Sequence, residues 1–166
     1  MSHNALHFSV DRENNTITVQ REFAAERSVL WEAYTKPEIL DRWWAPKPWK
    51  AKTKSMDFKE GGHWLYAMVG PEGEEHWSVV NYKVIEPQTT FTGTDAFTDS
   101  DGTVNPDMPQ SEWEVTFVDK GNNATLVTSQ IAFPNLQQLD ATIAMGFKDG
   151  YRVAMEGLDN LLTTLK

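Results

Sequence analysis

The chain has 166 residues, with 15 lysines and arginines against 24 aspartates and glutamates, a net charge of -9 at pH 7, and no cysteine. A chain of this length is expected to form one domain that buries roughly 70% of its extended surface without covalent cross-links. The composition excludes disulfides, thiolate zinc sites and thiol nucleophiles. The negative charge disfavours binding to the phosphate backbone of a nucleic acid.

The N-terminal sequence "MSHNALHFSV" lacks the basic run and the apolar segment that a signal peptide needs. No apolar run elsewhere approaches the ~18 residues that are required to span a bilayer. We therefore expect a cytoplasmic protein without membrane insertion.

In chain order, residues 1–15 are predicted to form an N-terminal extension or an extra strand, and residues 16–166 a single domain. Alternation of apolar and polar residues in "TITVQREF" predicts a strand at Thr16–Phe23. Two short helices are predicted next, at residues 26–34 and 37–44. Pro37 suits the first turn of the second helix, and Pro46 limits its end.

Six further β-rich segments follow with short connections between them. They are "AKTKSMDF", "HWLYAMV", "HWSVVNYKVIEP", "TTFTGTDAF", "SEWEVTFVD" and "ATLVTSQIAF". Short connections between consecutive strands favour antiparallel pairing. The middle of the chain therefore predicts an antiparallel β-meander.

The last thirty residues change to a helical period. Apolar residues recur every three or four positions, which predicts one long amphipathic helix. They are Leu136, Leu139, Ile143, Phe147, Tyr151, Ala154, Leu158, Leu161 and Leu165. We expect this helix to lie across the concave face of the sheet, which gives an α+β fold.

Three glycines, Gly146, Gly150 and Gly157, interrupt this helical pattern, and each costs about 1 kcal/mol relative to alanine inside a helix. One explanation is that the helix breaks near Gly146. The other is that the missing side chains let the helix approach the sheet closely or leave a void beside it.

The segment "TKPEILDRWWAPKPW" holds three of the seven tryptophans. Trp43 and Trp44 point about 100° apart on a helix, so they are expected to have different roles. Either both indoles belong to the core, or one of them forms the wall of a cavity between the helices.

The strands add inward-facing aromatic residues, and an interior of aromatic rings with polar atoms suits a binding pocket better than an aliphatic core would. The alternative is that these rings belong to a packed core. Tyr66, Tyr82, Tyr151 and Asp95 are candidates for polar groups inside the pocket. Seven residues are predicted to line the pocket, and we call them the aromatic wall: Trp44, Trp64, Tyr66, Trp113, Phe117, Phe147 and Tyr151.

The segments "REFAAERSVLWEAYTKPEILDRWWAP" and "MDFKEGGHWLYAMVGPEG", with "VIEP", "WEVTF", "ATLVTS" and "GYRVAMEGLDNLL", show a family resemblance over most of the chain. The sequence resembles the activator of heat-shock protein 90 ATPase homologue-like domains, within the START-like superfamily of polyketide cyclases and lipid-transport proteins. The resemblance implies a helix-grip fold, in which a curved antiparallel sheet surrounds the C-terminal helix and a hydrophobic cavity.

Three functions are compatible with this resemblance, because members of the superfamily bind ligands, catalyse reactions or assist other proteins. The first is binding of a small hydrophobic or aromatic molecule in the cavity. The second is interaction with a protein partner such as a chaperone, which predicts an exposed apolar patch. The third is a cyclase or dehydratase activity, which needs a strongly perturbed acid or base in the cavity.

Motifs for catalysis are missing from the sequence, which has no Gly-x-Ser-x-Gly, no phosphate-binding loop and no His-Glu-x-x-His. We assign no catalytic residue and expect neither a cofactor nor a metal.

Overall fold

The computed structural model describes residues 6–165, which form eight strands and four helices. The strands are β1 (His7–Asp11), β2 (Thr16–Phe23), β3 (Lys50–Met56), β4 (His63–Val69), β5 (Glu75–Glu86), β6 (Thr90–Thr98), β7 (Gln110–Gly121) and β8 (Ala124–Ala132). The helices are α1 (Arg27–Thr35), α2 (Pro37–Leu40), α3 (Leu136–Ala144) and α4 (Phe147–Leu165). Within this part of the chain no helix is both long and apolar enough to cross a bilayer.

All eight strands belong to one curved antiparallel sheet, in the order β1-β2-β8-β7-β6-β5-β4-β3. The chain passes from β2 through α1 and α2 to the opposite edge, and then returns strand by strand until β8 lies against β2. The predicted α+β helix-grip fold is confirmed, with two short helices after the Thr16–Phe23 strand. Of the predicted N-terminal extension, residues 1–5 lie outside the described residues, and β1 pairs along β2.

The core lies between the sheet and α1 and α4. Alternate residues of the strands are buried on this side, as in β2, where Ile17, Val19 and Phe23 are inaccessible to solvent. Helix α4 contributes Ala154, Leu158 and other apolar residues of its predicted stripe to the same core. Burial of these two complementary apolar faces fixes the helix on the sheet.

The predicted C-terminal helix is present as α3 and α4, and of the two explanations for its glycines the break near Gly146 is the one observed. Gly146 has a φ of +90°, a left-handed conformation that ends a helix and that other residues adopt at a cost. The alternative of a close approach to the sheet is not observed at Gly150 or Gly157. A side chain built on Gly150 would first meet Pro46, at 3.6 Å, and one on Gly157 would meet no atom within 4 Å.

The second short helix is also shorter than predicted, since α2 ends at Leu40 and residues 41–44 form turns. The Asp41 carboxylate accepts hydrogen bonds from the backbone N and the Oγ1 of Thr53 in β3, at 3.0 and 2.6 Å. This tertiary contact anchors the end of the helix to the edge of the sheet, which local sequence does not reveal.

We expect opposite effects from alanine at two of the glycines. Gly146→Ala should lower the free energy of unfolding by about 1 kcal/mol because of its positive φ. Gly157→Ala should raise the free energy by about 0.5–1 kcal/mol, since alanine favours the helix and meets no neighbour there. Urea unfolding of both variants measures the difference, and a change of the same sign in both would contradict this assignment of the break.

Candidate functional site

The two adjacent tryptophans after α2 have different surroundings. The Trp43 side chain is in the core, with a residue exposure of 3%, and its Nε1 donates a hydrogen bond to the Ala33 carbonyl at 2.9 Å. Trp44 is half-buried, and its Nε1 donates to the Tyr66 hydroxyl at 3.0 Å. Trp43 is therefore a core residue, whereas Trp44 faces the aromatic interior.

Trp44 contacts three other rings of the predicted aromatic wall. Its ring centroid lies 5.6 Å from that of Trp64 and 5.9 Å from those of Trp113 and Tyr151. Tyr66 stacks on Trp64 at 4.0 Å. The arrangement joins side chains from the segment after α2, from β4, from β7 and from α4 into one cluster.

Phe147 extends this cluster, whereas Phe117 makes no direct ring contact with the other wall residues. Phe147 stacks on Tyr151 at 5.3 Å and meets the edge of Trp113 at 6.1 Å. Phe117 instead packs against Trp31 and Tyr34, at 5.3 Å from each ring. Six of the seven wall residues thus contact one another, and among the described rings Phe117 is connected to them only through Tyr34 and Trp43.

An interior cavity of about 30 Å³ lies beside this network. Its lining residues are Tyr34, Leu40, Trp44, Trp64, Val80, Tyr82, Phe91, Asp95, Trp113 and Val115. One or two water molecules fill such a volume, whereas pockets for drug-sized ligands measure about 300–1,000 Å³. Since the rings occupy most of the interior, a larger molecule fits only if a side chain of the wall moves.

Three of the predicted wall residues, Trp44, Trp64 and Trp113, line the cavity directly. The other four support these rings or pack nearby. The prediction did not include Tyr34, Phe91 or the aliphatic residues among the lining. Their apolar alternation identifies them as core residues but does not tell where the core leaves a space.

Asp95 on β6 is the only residue with a carboxyl group among the described residues that line the cavity. The residue as a whole is half-buried, but its Oδ1 is buried and has no hydrogen-bond partner among the described residues. Burial raises the pKa of this carboxyl from 3.8 to about 7, although a hydrogen bond from the Ala96 backbone N–H opposes the shift. Asp95 therefore titrates near neutral pH.

The tyrosines of the interior stay protonated, because burial raises the pKa of Tyr34, Tyr66, Tyr82 and Tyr151 above its usual range. The Tyr151 hydroxyl lies 3.1 Å from Ser129 Oγ. The Tyr34 hydroxyl is also buried, and it interacts with the hydroxyl of Tyr151. The interior therefore offers hydroxyl groups that donate or accept, and one carboxyl group.

Arg21 is a buried cation that the sequence analysis missed. Its residue exposure is 6%, and one of its terminal nitrogens lies 3.6 Å from the Asp159 carboxylate on α4. The alternation of Ile17, Val19 and Phe23 places Arg21 on the same inward face of β2, and this signal could have revealed it. Arg21 does not line the cavity, so the described lining residues include no cationic partner for Asp95.

Eight antiparallel strands curved around a C-terminal helix, with an aromatic interior between them, define a protein of the START-like, helix-grip class. The family model for "Activator of Hsp90 ATPase homolog 1-like protein" matches residues 24–163, so the chain belongs to this family. The resemblance seen in the sequence is confirmed.

Solved structures support the same assignment. Protein Ms6760 from Mycobacterium smegmatis is 28% identical, with a TM-score of 0.88 over 95% of this chain and 97% of that one. A protein from Arthrobacter aurescens is 26% identical, with a TM-score of 0.89 over 95% and 91% of the two chains. CalU16 from Micromonospora echinospora is 20% identical, with a TM-score of 0.64 over 95% and 86%, and it shares the fold. No curated protein sequence matches the chain.

Proposed function

We propose that the protein binds a small hydrophobic or aromatic molecule in its interior, and that Trp44 moves to admit it. The observation on which the proposal rests is the cavity bounded by Trp44, Trp64 and Trp113. Large apolar surfaces with few polar groups favour ligands of this kind.

Trp44 is suited to be the movable side of the cavity. It is half-buried, it lies in the irregular segment between α2 and β3, and its indole makes one hydrogen bond, to Tyr66. Displacement of this indole would add a ring-sized volume to the space beside Trp64 and Trp113. Such a motion needs no change in the sheet.

The test is a titration with neutral probes, toluene and hexanol, followed by tryptophan fluorescence and by melting temperature. At a probe concentration 100 times Kd, linkage stabilises the protein by about 2.7 kcal/mol, which corresponds to roughly 5–10 °C for a chain of this size. The fluorescence change should persist in Trp77→Phe, because Trp77 packs in a separate cluster with Leu65, Val79 and Ala96.

Trp44→Ala provides the matched variant for this test. It should bind toluene more tightly than the wild type, because the space for the probe then exists before binding. If neither the wild type nor Trp44→Ala responds to either probe, the proposal is refuted.

A second candidate function, acid–base catalysis of the cyclase or dehydratase kind, is favoured by Asp95. A catalytic acid or base works best when its pKa lies near the working pH, and the pKa of Asp95 is about 7. This candidate predicts that Asp95→Asn abolishes turnover of a bound carbonyl compound while its binding persists. Unchanged turnover in that variant would exclude the role of Asp95.

The third function, a protein-interaction module, has less support. The exposed large apolar residues among those described are Val10, Val84, Val104, Val118, Leu136 and Met145. They come from five separate segments, and apolar residues that are exposed singly are normal on protein surfaces.

A further inference from the structure

The described lining of the cavity contains one acidic side chain and no basic one. Among the described residues that line it, Asp95 is the only one with a carboxyl, ammonium, guanidinium or imidazole group. The remaining polar groups in its lining are indole nitrogens and tyrosine hydroxyls. A buried carboxylate normally has a cationic or hydrogen-bonding partner, and Asp95 Oδ1 has none among the described residues.

The rings around Asp95 complement a positive charge. Three indoles, those of Trp44, Trp64 and Trp113, line the same cavity together with Tyr82 and Phe91. The faces of aromatic rings carry negative potential, and indole attracts cations most strongly. A carboxylate inside an aromatic enclosure is therefore suited to a compact cationic group.

We propose that the cavity selects ligands that carry a protonated amine. The N–H groups of the amine donate to Asp95, and the surrounding rings stabilise the positive charge of the amine. This inference rests on the proposed function, because the apolar part of the ligand occupies the space that Trp44 vacates. The charge-assisted hydrogen bond supplies the selectivity, since a neutral ligand of the same shape leaves the buried carboxyl without a partner.

The proposal also predicts a pH dependence. Among the described residues, the titratable groups around Asp95 are Tyr34 from α1 and Tyr82 from β5, which line the same cavity, and Tyr66 from β4, which interacts with the Asp95 charge. Burial keeps all three protonated. Asp95 must lose its proton to accept the amine, and amines remain protonated at neutral pH. Affinity for an amine should therefore fall about tenfold for each pH unit below 7, the pKa of Asp95.

The experiment compares four probes of similar shape: benzylamine, benzyl alcohol, toluene and benzoate. Calorimetric titration at pH 8 should give benzylamine at least about tenfold tighter binding than benzyl alcohol or toluene, and the weakest binding for benzoate. Equal affinities for benzylamine and the neutral probes would overturn the inference and leave the proposed function intact. If neither the wild type nor Trp44→Ala binds any of the four, both proposals are refuted, and the cavity would then hold structural water only.

Two variants distinguish the effect of Asp95 on benzylamine binding from the effect of the protein's net negative charge. Asp95→Asn should lose the preference for benzylamine, whereas Glu114→Gln should retain it. Both changes remove one negative charge, but Glu114 is exposed and Asp95 lines the cavity. A preference that survives in Asp95→Asn would overturn the inference.

The wild type alone provides an independent test. At pH 6, benzylamine binding should release close to one proton, which is measured by calorimetry in buffers of different ionisation enthalpy, and binding of toluene should release none. If benzylamine also releases no proton, the amine does not pair with Asp95 and the inference is overturned.

Discussion

Asp95→Asn is expected to raise the free energy of unfolding by on the order of 4 kcal/mol at pH 9. At about pH 4.5 the same substitution should change the free energy of unfolding little. The wild-type carboxyl has a pKa of about 7 in the folded protein, against an ordinary value of 3.8. Asparagine has a similar shape and never ionises, so it removes the cost of a buried negative charge.

Proton linkage explains why Asp95→Asn stabilises the protein at high pH and not at low pH. Because the folded protein holds the Asp95 proton more tightly than the unfolded chain, this group stabilises the fold fully below pH 3.8. The contribution is lost as the pH rises through the folded-state pKa of about 7. The difference between Asp95→Asn and wild type should therefore increase from pH 4.5 to pH 8 and then remain constant.

Urea unfolding of both proteins at intervals between these pH values provides the measurement. Glu114→Gln is the control, since an exposed carboxylate is expected to change stability by no more than about 0.5 kcal/mol at any of them. If the Asp95→Asn difference does not depend on pH, Asp95 is not a buried titrating group.

Trp43→Ala is expected to cost about 3–5 kcal/mol of unfolding free energy, whereas Trp44→Ala should cost about half as much. Trp43 is nearly inaccessible, and its removal leaves both a large hole and an unpaired Ala33 carbonyl. Trp44 is half-buried beside an existing cavity, so water can enter the space that it leaves.

Equilibrium unfolding in urea measures both variants under the same conditions. Circular dichroism of each variant serves as the control that the fold is retained. Equal losses would show that Trp44 is as firmly part of the core as Trp43, and the role of Trp44 as the movable side of the cavity would be wrong.

Most of the fold could be predicted from the sequence, because the strands are amphipathic and their turns are short. The predicted strand at Thr16–Phe23 has the observed bounds of β2, and the "HWLYAMV" segment those of β4. The pairing of β2 with β8 is more difficult to predict. It joins residues more than 100 positions apart, and local patterns contain no information on such pairs.

The helix boundaries show where sequence reasoning was limited. A glycine lowers helix stability whether the helix continues through it or ends at it. Composition alone therefore does not decide whether Gly146 breaks the helix. The end of α2 coincides with the hydrogen bonds that Asp41 accepts from Thr53. Such tertiary contacts override local propensity.

The candidate site was predictable in its chemistry but not in its dimensions. Alternation on β4 and β7 placed Trp64 and Trp113 on the inner face, where both line the cavity. The volume of the cavity depends on side-chain rotamers and on how closely the rings pack, which the sequence pattern does not determine. The unpaired Oδ1 of Asp95 likewise depends on what surrounds it in three dimensions.

The most direct test of ligand binding in this interior is the NMR spectrum of the seven indole N–H groups during a toluene titration. Single tryptophan-to-phenylalanine substitutions assign the signals. We expect saturable shifts for Trp44, Trp64 and Trp113, which line the cavity, and none for Trp77, whose Nε1 donates to Glu75 at 3.2 Å. Unchanged signals of the three cavity indoles at high toluene concentration would contradict it.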